Sequence, residues 1–398
     1  MKITRRWIAF LIVLAAPLLL FSSAQTSGKA AAKGQYLAYV GTYTTKTNSK
    51  GIYAFHFDPA TGQLSAIGVA AETPDPSWVV VHPSGKYAYA ANEAGKASTV
   101  SSFAINKKSG KLTLLNQMPA LGEDPCYLSF DKTGKYVLVA NYTSGTVVVF
   151  PILADGRLGE HTALLKDQGT LGQNKERQEA PHAHWIQVSY NTVYVADLGL
   201  DRVLVYDFDA KSGGLGAMPE PGPHRPFVHN ALGLSPGTGP RHVAISKVTN
   251  SRRFLYVLGE LDSTITLFGT SKEGIFGGAI QKVSMLPVGF SGRNDAAEIE
   301  IHPSGKFLYA SNRGHDSIAV FTIDEANGSL TSVADVSTGG KEPRHFAIDP
   351  TGKFLLAENQ LSNNIVVFKI DSATGGLTPT GQVVQMPSPV DLTFATAE

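Results

Sequence analysis

The stretch HPSGKFLYASNRGHDSIAVFTI, residues 302–323, combines a glycine turn, an alternating strand, a polar turn and a second β-rich run. Apolar-polar alternation beside a Gly-containing turn is typical of β-hairpins. The same order of features recurs from His82, Asp131 and Asp349 and, in weaker form, from Ser189 and Thr249. A short apolar run precedes each copy and a weaker strand follows it, so each unit predicts four strands. The units repeat at roughly 47 to 61 residues, which is typical of β-propeller blades.

The two ends of the chain predict how the ring closes. Residues 36–72 carry three β-rich runs, YLAYVGTY, GIYAFHF and LSAIGVA, which match the second, third and fourth strands of a unit. The missing innermost strand is PVDLTFA, residues 389–395, at the other end of the chain. Pairing of this strand with the first blade would leave no open sheet edge. The sequence therefore predicts an all-β, seven-bladed propeller with four-stranded blades, closed by the C-terminal strand on the N-terminal blade.

The N-terminal segment has the pattern of a signal peptide. Basic residues at positions 2, 5 and 6 precede an apolar run at 7–21, and small residues follow at 22–24. An apolar run of about 15 residues that contains a proline is too short for a spanning helix. We predict a signal peptide at 1–24, a flexible tether at 25–34 and the propeller domain at 35–398. The mature protein is then periplasmic or secreted, without a membrane span.

Composition and charge narrow the possible functions. Hydrophobic residues make up 43% of the 398 residues and charged residues 17%, and the formal net charge is only +1. Without a long basic run, the sequence predicts no nucleic-acid partner. No amphipathic helical pattern follows the N-terminal segment, which argues against a Rossmann or α/β-barrel fold. The sequence has no G-x-S-x-G elbow and no glycine loop opening a helix, and its one cysteine, Cys126, lies on an apolar strand. We therefore predict no covalent nucleophile, no disulfide within the chain and no cofactor.

Loops of a four-stranded blade alternate between the two faces of a propeller. The Gly-Lys turns share one face, so the opposite face carries the loops between second and third strands and the connections between blades. The two longest insertions, residues 167–181 and 219–239, belong to this second set. Long loops around a central channel are where a ligand site is expected.

Aligned positions in the repeats give candidate site residues on this loop face. The innermost strands open with Ser77, Cys126, His184, Arg241, Ala297, Arg344 and Val390. The second strands are followed by Glu93, Tyr142, Leu198, Glu260, Arg313 and Gln360. Charged and ring side chains gathered at a channel mouth are costly to desolvate, which indicates a site. The catalytic candidates are His184, Arg241, Glu260 and Arg313, and the substrate-binding candidates are His182, His242, His315, Arg344 and His345.

Two other interpretations of these residues stay open. The arginines could pair with Glu260 and Glu298 only to hold adjacent blades together. His182 and His184 are alternate residues of a strand and could provide two metal ligands. Because no third ligand accompanies them in the sequence, we predict no metal site.

Five segments in order, APHAHW, GPRHVAI, LGELDST, IHPSGKFLYASNRGHDSIAVF and EPRHFAIDPTGKFLLAENQ, carry a family resemblance. They resemble the lactonase family that contains bacterial propeller-type 6-phosphogluconolactonase and fungal carboxy-cis,cis-muconate cyclase. The resemblance spans residues 36–394, and the family's proposed active-site quartet falls on His184, Arg241, Glu260 and Arg313. It implies a carboxylic ester hydrolase that opens a sugar or carboxylated lactone, such as 6-phosphogluconolactone to 6-phosphogluconate.

The resemblance leaves the reaction open. The alternatives are a cyclase-type isomerase that forms a lactone, and a non-catalytic propeller that binds an anionic ligand or a protein partner. For hydrolysis, either Glu260 or His184 would be the base. Arg241 and Arg313 would bind a carboxylate or phosphate, and one of them would polarise the carbonyl. The expected partner is a small lactone or an anionic sugar acid, and no oligomeric state is predicted.

Overall fold

The computed structural model describes residues 36–217, 231–247, 253–270 and 276–397. These ranges contain strands β1 to β29 and two short 3-10 turns, η1 (Gly95–Ala97) and η2 (Leu198–Leu200). The predicted signal peptide and tether, residues 1–34, lie outside the described residues. Among those that are described, no helix is long and apolar enough to cross a membrane.

The strands follow one another along the chain as short antiparallel segments. The first are β1 (Tyr36–Thr42), β2 (Gly51–Asp58), β3 (Gln63–Glu72), β4 (Pro76–Val81), β5 (Tyr87–Asn92), β6 (Thr99–Ile105), β7 (Leu112–Pro119), β8 (Pro125–Phe130), β9 (Tyr136–Asn141), β10 (Thr146–Pro151) and β11 (Ala163–Lys166). Next are β12 (Ala183–Ser189), β13 (Thr192–Asp197), β14 (Arg202–Asp209), β15 (Gly214–Ala217), β16 (Ala231–Gly233), β17 (Pro240–Ile245), β18 (Phe254–Gly259), β19 (Thr264–Thr270) and β20 (Phe276–Ser284). The last are β21 (Asp295–Ile301), β22 (Phe307–Arg313), β23 (Ser317–Ile323), β24 (Leu330–Ser337), β25 (Pro343–Ile348), β26 (Phe354–Asn359), β27 (Asn364–Ile370), β28 (Leu377–Gln385) and β29 (Pro389–Thr396).

These strands form seven antiparallel sheets, one for each blade. Six blades use consecutive strands, and the seventh has the order β29-β1-β2-β3. In that blade β29 pairs with β1 from Tyr36↔Thr396 to Thr42↔Pro389. The predicted seven-bladed propeller and its closure by the C-terminal strand are therefore confirmed.

One blade departs from the four-strand pattern. In the sheet that begins with β12, β15 pairs with one end of β14 and β16 pairs with the other end. The outer strand of this blade is thus in two pieces. The 219–239 insertion separates them, and its residues 219–230 lie outside the described residues.

Repeated contacts between blades explain why the HPSG and D-x-T-G turns recur in the sequence. The Nε2 atom of His82 makes a 2.8 Å hydrogen bond with the carbonyl oxygen of Gly134, and His302 makes the equivalent 2.7 Å bond with Gly352. Each histidine belongs to the turn of one blade and each glycine to the turn of the next. A Cβ atom on Gly134 would lie 2.8 Å from the His82 ring, so the close approach requires glycine there. These histidines have structural roles at the face opposite the site.

Apolar side chains of adjacent sheets form the core. Leu258 of β18 and Leu308 of β22, for example, are both fully buried in one cluster between two blades. Burial of a side chain of this size contributes about 1.5–3 kcal/mol. The outermost strands are more exposed, as in β20, where exposed residues are interspersed with partly buried ones. The innermost strands also contact those of adjacent blades, as β12 does with β8 and β25 does with β29.

Candidate active site

A β-bulge at the start of each innermost strand places the candidate residues. In β17, Pro240 pairs with Gly259 and Val243 pairs with Val257, so that Arg241 and His242 together lie opposite one residue. Equivalent register shifts occur at the start of the other six innermost strands. A bulge reorients side chains at the end of a sheet. Neighbouring residues such as Arg241 and His242 therefore belong to two different groups of side chains. We call them the upper layer, which contains Arg241, and the second layer, which contains His242.

The upper layer is centred on Glu260, which follows β18. Its backbone N–H donates to the Gly239 carbonyl at 2.8 Å, which fixes the residue beside the start of β17. Its carboxylate meets Arg241 Nε at 3.1 Å, Arg313 Nη2 at 3.1 Å and Arg177 Nη2 at 2.6 Å. The Glu260 side chain is only 4% exposed, and Arg241 and Arg313 are also buried. One buried carboxylate therefore neutralises part of the charge of three guanidinium groups.

Electrostatics keep this carboxylate ionised. Burial alone would raise the pKa of Glu260, but the Arg313 and Arg241 cations outweigh burial and hold that pKa well below its ordinary value. Burial, followed by repulsion from Arg313 and Arg344, lowers the pKa of Arg241 to about 10. At neutral pH the ion pairs are thus intact. A carboxylate in this state accepts a proton poorly.

His184 lies beside these charges, where β12 begins. Burial and the Arg241 cation hold its pKa well below the ordinary value, so the imidazole is neutral at pH 7. Its Nδ1 atom is buried and has no hydrogen-bond partner among the described residues. The ring packs against Tyr142 at 5.5 Å and His242 at 5.0 Å between centroids. His184 therefore combines a neutral ring with a nitrogen, Nδ1, that has no hydrogen-bond partner among the described residues.

Arg344, at the start of β25, differs from the other arginines of the cluster. Within the described ranges no carboxylate lies at ion-pair distance from its guanidinium, whereas Arg177, Arg241 and Arg313 all contact Glu260. The Arg344 guanidinium instead lies over the Tyr43 ring, 5.2 Å from its centroid. A cation held in this way is suited to an incoming anion.

A second layer lies next to the first and consists of hydrogen-bonded acids and imidazoles. His242 bonds Glu298 at 2.8 Å and His345 bonds Glu358 at 2.9 Å. His345 Nε2 also lies 3.6 Å from an Asp391 oxygen. Burial raises the pKa of Glu298, Glu358 and Asp391 well above the ordinary values, and burial lowers that of His345 to about 3. Each of these shifts favours the uncharged form of its group.

The other histidine candidates lie outside these two layers. His182 stacks on Tyr142 at 4.5 Å and bonds Glu179 at 3.1 Å. His315 bonds Ser317 at 2.7 Å and packs on Phe290 at 5.0 Å, and neither contact involves the guanidinium cluster. The sequence placed His315 near the site because it follows Arg313 closely, but the turn after β22 directs its ring elsewhere.

Arg177 was missed at the level of sequence, although it lies in the insertion 167–181, which we call the strap. Asn174 accepts hydrogen bonds from the backbone N–H groups of Glu176 and Arg177, both at 3.1 Å. The buried Gln178 side chain donates to the Leu198 carbonyl at 2.8 Å. This anchored turn presents Arg177 to Glu260. The length of the insertion was the only feature of the sequence that pointed to this segment. A residue of the strap has no counterpart in the repeats with which it could be compared.

Buried carboxyl groups hold both ends of the strap. Asp167 opens it and accepts a 2.7 Å hydrogen bond from the Tyr206 hydroxyl. Asp197 accepts the backbone N–H of His182 at 2.9 Å where the strap ends. Each carboxyl has one oxygen with no donor among the described residues. Burial and their mutual interaction raise the pKa of Asp167 well above the ordinary value, and burial raises that of Asp197.

The described residues contain no group of three His, Cys, Asp or Glu side chains arranged to hold a metal ion. His182 and His184 both contact Tyr142, one stacked on its ring and one against its edge. Cys126 is buried, and burial raises the pKa of its thiol. The Arg, His and Glu side chains of the upper layer can supply hydrogen bonds, charge stabilisation and proton transfer.

Comparisons with known proteins agree with this architecture. A family profile described as "Lactonase, 7-bladed beta-propeller" matches residues 37–394. A 6-phosphogluconolactonase from Bacillus subtilis (strain 168) is 37% identical over 315 residues, which cover 78% of this chain and 84% of that protein. The crystal structure of a putative 6-phosphogluconolactonase from Bacteroides fragilis has a TM-score of 0.82 at 34% identity and covers 92% of this chain and 99% of its own. The periplasmic gluconolactonase of Pseudomonas aeruginosa has a TM-score of 0.83 at 31% identity, with coverages of 92% and 100%.

Proposed function

Because the chain belongs to the lactonase family of seven-bladed β-propellers and is an enzyme of the carboxylic ester hydrolase class, we propose that it hydrolyses the internal ester of a sugar lactone. The observation that carries this proposal is the composition of the upper layer. A neutral imidazole, His184, lies beside the ion-paired Arg241 and beside Arg344, which has no carboxylate partner in the described part of the chain. These are the groups that water-mediated ester cleavage requires.

Cationic groups stabilise the charge that develops during ring opening. Water attacks the carbonyl carbon, a new C–O bond forms, and the carbonyl electron pair moves onto oxygen. When the bond to the ring oxygen breaks, the ring oxygen becomes a hydroxyl and the carbonyl carbon becomes that of a carboxylic acid, which ionises. In our proposal Arg344 faces the carbonyl oxygen and then the carboxylate, because no carboxylate of the described residues lies at ion-pair distance from its guanidinium donors.

His184 is the base in this scheme. Its depressed pKa keeps a lone pair free at neutral pH, so it can take a proton from the attacking water. The protonated ring then returns that proton to the departing ring oxygen. General acid-base catalysis of this kind contributes roughly 10²- to 10⁴-fold to the rate.

Glu260 has a different role in the proposal. Its carboxylate already contacts Arg177, Arg241 and Arg313. These cations hold the pKa of Glu260 well below its usual value, so in our proposal it does not take the proton from water. We assign it to positioning Arg241 and Arg313, each 3.1 Å from its carboxylate. The sequence left the choice between Glu260 and His184 open, and this assignment is our proposal for it.

We also propose that the protein acts outside the cytoplasm, with residues 1–24 as its signal peptide. The basic residues at 2, 5 and 6 and the apolar run at 7–21 support this. A similar solved structure, from Pseudomonas aeruginosa, is named a periplasmic gluconolactonase. Fractionation of cells with and without residues 1–24 tests the prediction, which fails if both forms stay in the cytoplasm.

Ring opening by the purified protein tests the proposed reaction. Glucono-1,5-lactone, its 6-phosphate and a carboxymuconolactone would be compared by acid release in a pH-stat. We expect His184→Asn and Arg344→Gln each to reduce kcat/KM by about 10²-fold or more. The control is His161→Asn, because His161 is an exposed histidine outside the cluster.

Two outcomes would contradict the proposal. Near-normal turnover by His184→Asn would exclude this histidine as the base. Tight binding of sugar acids by a wild-type protein that opens none of the lactones would favour a binding propeller instead.

A further inference from the structure

An open cleft of about 540 Å³ adjoins the upper layer on the loop face, and the proposed chemistry leaves it unused. The strap, the loop after β18 and the segment before β21 contribute polar residues to its lining, among them Asn174, Glu176, Arg177, Asp262, Ser263 and Asp295. A volume of this order is sufficient to accommodate part of a small molecule.

Arg177 is the boundary between this cleft and the catalytic cluster. One of its terminal nitrogens lies 2.6 Å from a Glu260 oxygen, and the other lies 3.6 Å from an Asp295 oxygen. Glu260 belongs to the upper layer, and Asp295 lines the cleft. A substrate that reaches Glu260 in the upper layer would therefore meet Arg177 at the edge of the cleft.

The cations of the cleft are already paired with protein carboxylates. Arg177 contacts Glu260 and Asp295, and the Arg293 side chain contacts Asp295 at 3.0 Å. Glu176 is exposed, and no cation lies at ion-pair distance from it within the described ranges. A phosphate dianion in this cleft would compete with the carboxylates that already contact Arg177 and Arg293, and it would approach Glu176. Hydroxyl groups, in contrast, can donate to these carboxylate oxygens without breaking an ion pair.

In the upper layer, too, most of the cations are paired with a carboxylate. Arg344 is the upper-layer guanidinium that lacks a carboxylate partner in the described residues, and it suits the one carboxylate that ring opening creates. A lactone with a phosphate at its far end would require a second unpaired cation. The cleft next to Arg177 does not offer one among its described residues.

We propose that the cleft bordered by Arg177 is a subsite for the uncharged, hydroxyl-rich end of the substrate, and that the enzyme selects unphosphorylated sugar lactones over phosphorylated ones. Arg177 is a positioning residue in this arrangement, since it contacts both Glu260 and the cleft residue Asp295. The inference rests on the proposed lactone hydrolysis, whose substrate class it specifies.

The test compares kcat/KM for glucono-1,5-lactone and its 6-phosphate in the wild type, Glu176→Lys and Asp155→Lys. We expect the wild type to favour the neutral lactone by about tenfold or more, because phosphate entry is opposed by the cleft carboxylates. Glu176→Lys should reduce that preference about tenfold, since it reverses a charge in the cleft. Solvent screening is the factor that limits the size of this effect. Asp155→Lys makes the same charge change on an exposed turn whose carboxylate pairs with Arg157, and it should leave the preference unchanged.

Calorimetric binding of gluconate and 6-phosphogluconate separates failure of this inference from failure of the proposed reaction. If no lactone is opened, a preference for gluconate that Glu176→Lys reduces would still support the subsite. Equal or better use of the phosphorylated compounds by the wild type would overturn the inference. A preference for the neutral compounds that Glu176→Lys leaves unchanged would also overturn it, because the selection would then arise elsewhere.

Discussion

Replacement of Glu260 by glutamine should leave buried positive charge uncompensated. The side chains of Arg241 and Arg313 are 3% and 9% exposed, so neither can be solvated without rearrangement. Removal of one partner from a buried ion pair costs about 3–5 kcal/mol. Arg177 adds at most about 1 kcal/mol, since its side chain is 32% exposed and can turn toward water. We expect Glu260→Gln to lower the free energy of unfolding by about 3–5 kcal/mol.

Urea unfolding followed by tryptophan fluorescence measures this loss at pH 7. The matched control is Glu300→Gln, because burial raises the pKa of Glu300 to about 8 and the carboxyl is largely neutral in the fold. Glutamine imitates that neutral form, so the control should cost less than about 1 kcal/mol. The double variant Glu260→Gln/Arg241→Gln should recover part of the lost free energy of unfolding, because it removes one of the buried cations that Glu260→Gln leaves without a carboxylate partner.

The kinetics of the same variant report on the base. Glu260→Gln should reduce kcat because Arg241 and Arg313 lose their common partner. The residual activity should keep an acid limb set by His184, displaced to lower pH because the Glu260 carboxylate no longer raises the pKa of His184. Stability within about 1 kcal/mol of the wild type would refute the charge compensation described above. Loss of the acid limb of the pH profile would mean that Glu260, and not His184, takes the proton.

Three further predictions follow from the strap, the base and the ring closure. Since Asp167 has a raised pKa in the fold, its contribution to stability is complete below about pH 4 and is lost as pH rises through the folded pKa. Asp167→Asn should therefore show a smaller drop in urea midpoint from pH 5 to pH 8 than the wild type, and an equal drop would argue against the raised pKa of Asp167. The depressed pKa of His184 should keep kcat/KM level from pH 8 down to about pH 6, whereas an ordinary histidine would halve it near pH 6.5 in a pH-rate profile. Deletion of residues 389–398 removes β29 and exposes the edge of β1, so size-exclusion chromatography should show self-association and thermal melting should lose cooperativity; a monomer with the wild-type midpoint would contradict this.

The blade pattern could be predicted from sequence because it is written in local, repeated features. The stretch 302–323 contains the turn and alternating strands of a blade, and the same spacing returns along the chain. The C-terminal PVDLTFA run was assigned to the first blade by comparison with the other innermost strands, and β29 occupies that position. Strand alternation and turn chemistry depend on neighbours a few residues apart, which is why a single sequence reveals them.

The repeats also indicated which positions surround the channel, but they did not determine how the side chains divide among layers. Arg241 and His242 are adjacent in sequence, yet the first pairs with Glu260 and the second with Glu298. The bulge at the start of β17 separates them, and bulges have no clear sequence signature. The catalytic roles of these residues remain predictions.

The sequence by itself determined the seven-bladed ring, its closure and the loop face that carries the charged cluster. Only the tertiary structure decided that Arg177 contacts Glu260 across 83 residues, that His315 turns away and that Arg344 lacks a carboxylate partner among the described residues. The physical reason is that strand patterns are set by short-range periodicity. Charge compensation and pKa values instead depend on distances between loops that are remote in sequence and have no counterpart in the repeats.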